Sequence, residues 1–283
     1  MNAITSRRAA IRWEANAFLG FFERQRNLYR RYWVWEVVWF VYSVVSTLSI
    51  GYLAAGLSDV GGGGRRVDIG RAQLYLLVGS LLWSYLSLVF FEVSFAISWE
   101  RWEGTIEYTF MAPVRRATHL LGICCFAIVY AMLRSALILV VVVLMFHLDL
   151  SHADLWSAAL VLIAATLPVL GLGIFTSILP LLSPEKGEQM TVAVQGVLLL
   201  VSGVYYPLTV LPWALQVIGD ASPLTYTLSG IRSALLDHAG VGALAGSIGL
   251  LLVMGVALIV GGLFTFGAAE RRAKKMGLLK RSG

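Results

Sequence analysis

Cysteine is nearly missing from this chain of 283 residues: the only two, Cys124 and Cys125, are neighbours in one apolar run. They cannot frame a secreted disulfide scaffold and read as two small buried thiols. Charge is also scarce, at 13% of residues against 58% hydrophobic, which excludes an intrinsically disordered chain. No stretch fits the nucleotide-binding pattern G-x-x-x-x-G-K-[ST]; GGGGRR at 61–66 lacks both the lysine and the hydroxyl. No Ser-His-Asp or Cys-His arrangement is legible from spacing. HLDLSHAD at 147–154 offers two histidines and two aspartates, but the adjoining span ends explain that polarity without a metal. His119 and His238 read as interfacial residues. No internal repeat is visible, which disfavours an architecture of inverted halves. No cleavable signal is expected, because residues 1–31 carry seven arginines and no uninterrupted apolar core.

What the chain has in abundance is apolar length. Its mean hydropathy is +0.78, and a bilayer crossing needs roughly 20 mostly apolar residues. Runs at 33–57, 72–98, 119–146, 156–182, 191–206 and 241–268 predict an all-α polytopic membrane protein with six transmembrane helices. They form one domain over 1–283. Residues 207–240 are apolar but broken by Pro207, Pro212, Gly219 and Pro223, which predicts a re-entrant helical hairpin before the last span. Glycines 61–64 read as a plain connector. The last span holds Gly246, Gly249, Gly255, Gly261, Gly262 and Gly267, which permit close helix contact.

The net charge of +6 comes from bases clustered between the spans, so no nucleic-acid partner is expected. With the N-terminus in the cytoplasm, the inside holds seven N-terminal arginines, Arg101, Arg115, Arg116, Lys186, Arg271, Arg272, Lys274, Lys275, Lys280 and Arg281. The outside keeps only Arg65, Arg66, Arg71 and Arg232. An even number of passes puts both termini in the cytoplasm, in a plasma or inner membrane. Residues 6–31 wind into an amphipathic helix: Ala10, Ile11, Trp13, Ala17, Phe18, Phe21, Phe22 and Leu28 share an arc opposite Arg8, Arg12, Arg26 and Arg30. Such a helix is expected in the interface, its arginines on anionic lipid headgroups.

Three charges fall inside the spans, where each costs at least about 2.5 kcal/mol on insertion scales. Glu36 is a turn from its span end; Glu92 counts to about 9 Å and Arg134 to about 22 Å from theirs, at the helical rise. Those depths argue against a Glu92–Arg134 contact. Arg134 is expected either to hydrogen-bond carbonyls or an opposite subunit, or to line a transport path; proton coupling through Glu92 is the minor alternative.

Between the second and third spans lies ERWEGTIEYTFMAPVRR, residues 100–116, within a connecting segment taken as 99–117. Wound as a helix, it puts Thr105, Tyr108, Thr109 and Ala112 on one face and Glu103 and Glu107 on a polar edge. An acidic residue followed by Gly-Thr-Ile-Glu and then Ala-Pro-Val-Arg-Arg resembles the coupling-helix region of type-2 ABC exporter permeases (the drug, lipid and polysaccharide exporter family). PLTYTLSGIR at 223–232 resembles that family's signature of Pro, an apolar residue, any residue, Tyr, five residues and Arg. LLLVSGVYYPLTVLP at 198–212 is similar to the small-residue and proline pattern upstream of it.

The resemblance implies a permease that dimerises with a second copy or a paralogue and receives two separate ABC ATPase subunits. ATP and magnesium would sit on those partners, with no cofactor, metal or catalytic residue on this chain. Glu100, Arg101, Glu103 and Glu107 are then the expected polar docking contacts. Gly104 punctuates the segment, while Thr105, Tyr108 and Pro113 shape it and seat it on the membrane side. Tyr205, Tyr206, Pro207, Pro212, Trp213, Pro223, Tyr226 and Arg232 would build an outer gate or a rigid lid. The expected activity is export of an amphipathic drug or lipid-like substrate by alternating access, since little fixed charge lines the spans. A polysaccharide or glycolipid permease, an ion-coupled secondary transporter using Glu92 and Arg134, and a membrane scaffold or intramembrane enzyme are the competing readings.

Overall fold

The computed structural model describes residues 3–60, 69–147 and 154–278, with side chains from Arg12 onward and gaps in side-chain description at 57–71 and 148–153. The expectations for residues 61–64, Arg65, Arg66, the loop at 148–153, Lys280 and Arg281 lie outside the described residues, as do the side chains of Arg8, Ala10, Ile11 and Arg71.

Apolar runs of this length satisfy every backbone group internally only as helices, and no strand occurs among the described residues. The helices are α1 (Ala3–Arg31), α2 (Trp33–Val60), α3 (Ile69–Trp102), α4 (Ile106–Met111), α5 (Arg116–Phe146), α6 (Leu155–Thr176), α7 (Ile178–Leu182), α8 (Gly187–Val201), α9 (Trp213–Asp220), α10 (Pro223–Leu236) and α11 (Val241–Lys275). Five are long and apolar enough to cross a membrane: α2, α3, α5, the α6–α7 pair and α11. The run at 191–206 departs from expectation. Its helix, α8, has 15 residues and ends at Val201, about 22 Å at the helical rise, because Gly203 turns the chain with a φ of 69°.

α3 is the central helix. Tyr85, Leu86, Val89, Val93 and Ile97 on it are buried, and its polar side chains tie it to α6: Tyr85 Oη lies 2.9 Å from Thr166 Oγ1 and Ser94 Oγ 2.6 Å from Thr176 Oγ1. Such bonds across apolar helices hold neighbours in register where no hydrophobic drive separates helix from lipid. α6 and α11 approach through glycine. A Cβ on Gly171 would stand 2.5 Å from Leu258 Cβ, and one on Gly255 2.5 Å from Leu167 Cβ. Gly246 and Gly249 face open space, so only part of the glycine set serves this contact.

α1 packs along α5 rather than standing apart from the bundle. A half-buried stripe of Ala17, Phe18, Phe21, Phe22, Leu28 and Tyr29, with Gln25 buried among them, meets it, and a Cβ on Gly122 would come within 2.8 Å of Phe21 Cβ. The Phe22 and Phe126 rings sit 5.6 Å apart and those of Tyr29 and Tyr130 4.5 Å apart. The expected arc is thus mostly the docked face, with one correction: Trp13 points away and is exposed.

Candidate coupling site

The turn after α3 is set by Gly104, whose φ of 70° only glycine adopts freely. It lets Gly104 N–H reach Arg101 O at 3.1 Å and Thr105 N–H reach Glu100 O at 2.8 Å, closing α3 and starting α4 at once. In the six residues of α4, Ile106, Thr109 and Phe110 face inward at i, i+3 and i+4. Glu107, Tyr108 and Met111 therefore face out, with Tyr108 79% and Met111 81% exposed, and Trp102 is exposed beside them. Tyr108 was expected to seat the segment on the membrane side. Because Ile106, Thr109 and Phe110 form the packed side of α4, Tyr108 falls on its exposed face.

Both ends of α4 are fastened. At its start, Arg24 of α1 donates to Glu100 Oε1 at 2.8 Å and to Thr105 Oγ1 at 2.7 Å, and His119 Nε2 of α5 lies 2.7 Å from the same Glu100 oxygen. At its end, Arg116 donates to the carbonyls of Thr109 and Phe110, each at 2.7 Å, and to Glu270 of α11 at 3.1 Å. Its guanidinium also covers the Phe110 ring at 4.5 Å, while Lys274 supports Glu270 at 2.8 Å.

These bonds change the roles expected from sequence. Glu100 and Arg101 are almost fully buried, so they cannot be contacts for another protein. Glu100 is the hub of the α1–α3–α5 latch. Arg101 donates to Pro180 O at 2.8 Å and Leu278 O at 3.0 Å, binding α3 to α7 and to the chain beyond α11. Glu103 accepts from Tyr32 at 2.9 Å with Arg31 at 3.9 Å, and that bond raises the Tyr32 phenol above its ordinary value. Of these four, only Glu107 makes no hydrogen bond or ion pair among the described residues and lies on an exposed face. Pro113 is exposed in the turn that follows α4, and Thr105 anchors its start. His119, expected at an interface, is fully buried against Glu100 and the Phe21 ring.

The intramembrane charges meet at one level. Arg134 donates to Trp39 O at 2.6 Å and Ser43 Oγ at 2.8 Å, with Glu36 at 3.9 Å, and Tyr130 donates to Glu36. Arg134 thus stands level with the second and third turns of α2, shallower than its count along α5 implied, because the first half of α5 runs beside α1. Glu92 makes no direct bond to Arg134 and faces Tyr29 instead. Burial, with the Glu92 and Glu36 carboxylates beside it, holds the Tyr29 phenol well above its ordinary value.

At the far end of the bundle, Pro207 precedes a 3-10 turn, Pro212 caps α9, and Pro223 opens α10 where a missing N–H is tolerated. Tyr206 donates to Leu200 O and Tyr226 to Asp220 O, each at 2.7 Å, and Tyr205 packs on the core. Trp213 is exposed, and Arg232 donates to the carbonyls of Gly203 and Val204 that follow α8.

Arg24, Arg116, Glu270 and Met111 were given no site role by sequence, and His119 was read only as interfacial. The one signal for Arg24 was its place beside the apolar arc of α1, away from the other arginines; the partners of Arg116 and Glu270 are 154 residues apart and leave no local signature. No curated protein matches this sequence. The family model for the ABC-2 type transporter matches residues 17–236.

Proposed function

Since this chain belongs to the ABC-2 type transporter family, and is thus a multi-pass permease subunit that works with ABC ATPase subunits, we propose that the exposed face of α4 is where an ATPase docks. The observation that carries this is the contrast within six residues: Glu107, Tyr108 and Met111 open to solvent, while both ends of α4 are bonded to other helices. A push on that face cannot be absorbed by a slack loop. It passes through Arg24, Glu100 and His119 to α1 and α5, and through Arg116 and Glu270 to α11.

In this reading two ATPase subunits carry ATP and magnesium and close on each other. Two permease copies, identical or paralogous, turn as rigid bodies between states open to either side, a shift of population driven by differential binding. Both termini and α4 lie in the cytoplasm. The cargo is an amphipathic drug or lipid-like molecule moving outward, consistent with spans whose few charges are already engaged with each other or with Tyr29. The 207–240 region, re-entrant from the outer side, serves with the turn before it as the gate, with Tyr205, Tyr206, Pro207, Pro212, Pro223, Tyr226 and Arg232 shaping it.

The test is purification of the tagged chain from its native membranes in mild detergent with an ATP hydrolysis assay. A stoichiometric ATPase partner with vanadate-sensitive turnover is expected. An isolated chain without nucleotide dependence overturns the reading.

A further inference from the structure

Arg232 is a buried cation with no anion. Its residue is 8% exposed, and among the described residues none of its neighbours is a carboxylate. Nη1 donates to Gly203 O at 2.9 Å, Nη2 to Val204 O and, at 3.4 Å, to Tyr75 O, and the guanidinium lies 3.5 Å from the Tyr75 ring centre. Nε has no acceptor at all. Carbonyl and ring dipoles carry part of the charge, yet buried charges in proteins are as a rule neutralised by a full counter-charge.

The space around the guanidinium is built for it. A Cβ on Gly79 would stand 2.6 Å from Nη2 and 2.2 Å from Val204 O, so glycine is needed in α3 where the arginine crosses. Arg232 also forms part of the wall of a cleft of about 370 Å³ between α3, the 202–208 turn and α10, shared with Tyr75, Tyr206, Thr225, Ser229 and Ser233. That volume is within the range of small-molecule sites.

The donors and acceptors of the cleft are unevenly committed. Tyr206, Thr225 and Ser229 already donate their hydroxyl hydrogens to the carbonyls of Leu200, Gly219 and Tyr226. What those oxygens still offer is lone pairs, for a ligand that brings its own O–H groups. The donors that remain are the Tyr75 and Ser233 hydroxyls and, on Arg232, the Nε–H and the second Nη1–H, and a guanidinium's planar geometry suits phosphate oxygens.

We infer that this cleft binds a phosphate ester whose alcohol carries hydroxyl groups, the phosphate on Arg232 and the hydroxyls on the Tyr206, Thr225 and Ser229 oxygens. The ester can be the headgroup of a polyol phospholipid or a soluble polyol phosphate. The site is separate from α4 and does not depend on what drives transport.

The test uses the purified permease–ATPase complex in detergent, with dioctanoyl phosphatidylglycerol binding read by native mass spectrometry. One saturable site per permease is expected, with dioctanoylglycerol, which lacks the phosphate, failing to occupy it. Arg232→Gln should weaken binding at least about tenfold, as expected for loss of a hydrogen bond to a charged group. Because Arg232 also ties three carbonyls, Ser229→Trp is the companion variant: it fills the cleft from an exposed helix position and should give the same loss with an unchanged elution volume. Competition by glycerol 1-phosphate at equal strength would identify the soluble ester as ligand, and absence of competition the lipid. Wild-type binding in Ser229→Trp, or equal binding of dioctanoylglycerol, would overturn the inference.

Discussion

Replacing Glu100 with glutamine keeps the shape of the latch and removes its charge, so the effect can be worked from geometry. Glu100 Oε1 receives Arg24 Nη1 at 2.8 Å and sits 2.7 Å from His119 Nε2. Hydrogen bonds to a charged group contribute about 1.5–3 kcal/mol and neutral ones about 0.5–1.5, so the amide forfeits about 1 kcal/mol per bond. The Arg24 side chain is 27% exposed, and water screening reduces its share. The net loss is about 1–2 kcal/mol, which raises the fraction of α1 released from α5 about 5- to 30-fold. Arg24 keeps its bond to Thr105, so α4 itself stays folded. Hydrogen–deuterium exchange on the intact complex should show faster exchange across residues 17–29 in Glu100→Gln and no change in Glu107→Gln, whose side chain is on the open face. Unchanged exchange across 17–29 in Glu100→Gln would refute the latch.

Two further expectations concern the framework. Gly255→Val should lower the thermal midpoint of the purified chain, because the first added carbon already meets Leu167 Cβ at 2.5 Å and Pro168 atoms at 3.0 Å; overpacking of this kind costs about 1–3 kcal/mol, and an unchanged midpoint would contradict the close α6–α11 contact. Asp154 caps α6, accepting from Ser157 Oγ at 2.6 Å and Ser157 N–H at 3.0 Å, and these bonds hold its carboxyl below the ordinary carboxylate range. The cap's contribution is therefore complete above the unfolded value near pH 4 and is lost as pH falls through the lower folded value. Amide exchange at 155–158, corrected for intrinsic rate, should accelerate only in that acid window, and Asp154→Asn should remove the dependence.

Span-length helices were legible because hydropathy over some 20 residues is a strong signal that tertiary contacts do not alter. The amphipathic arc of α1 was legible for the same reason, and it proved to be the face docked on α5. α8 was overextended because 191–206 is apolar throughout; what ends the helix is one glycine in a left-handed conformation, which hydropathy does not register. The segment that became α4 was located by its motif, yet its faces were misassigned. A six-residue helix is too short for its hydropathy to mark which side packs, and the side that packs is Ile106, Thr109 and Phe110, leaving Tyr108 exposed. Charged residues were hardest to place, since hydropathy treats an arginine the same whether it faces solvent or three carbonyls. The resemblance made Glu100 and Arg101 docking contacts, whereas the fold brings Arg24 of α1 and His119 of α5 against Glu100, and the carbonyls of Pro180 in α7 and Leu278 beyond α11 against Arg101.

The central claim is that the α4 face at Glu107, Tyr108 and Met111 receives the ATPase, and site-specific photocrosslinking tests it most directly. A benzophenone amino acid at position 108, in the assembled complex, should give an abundant ATPase–permease adduct, while the same group at position 110, which faces inward, should crosslink within the permease. Abundant adduct from 110 but none from 108 would contradict the account.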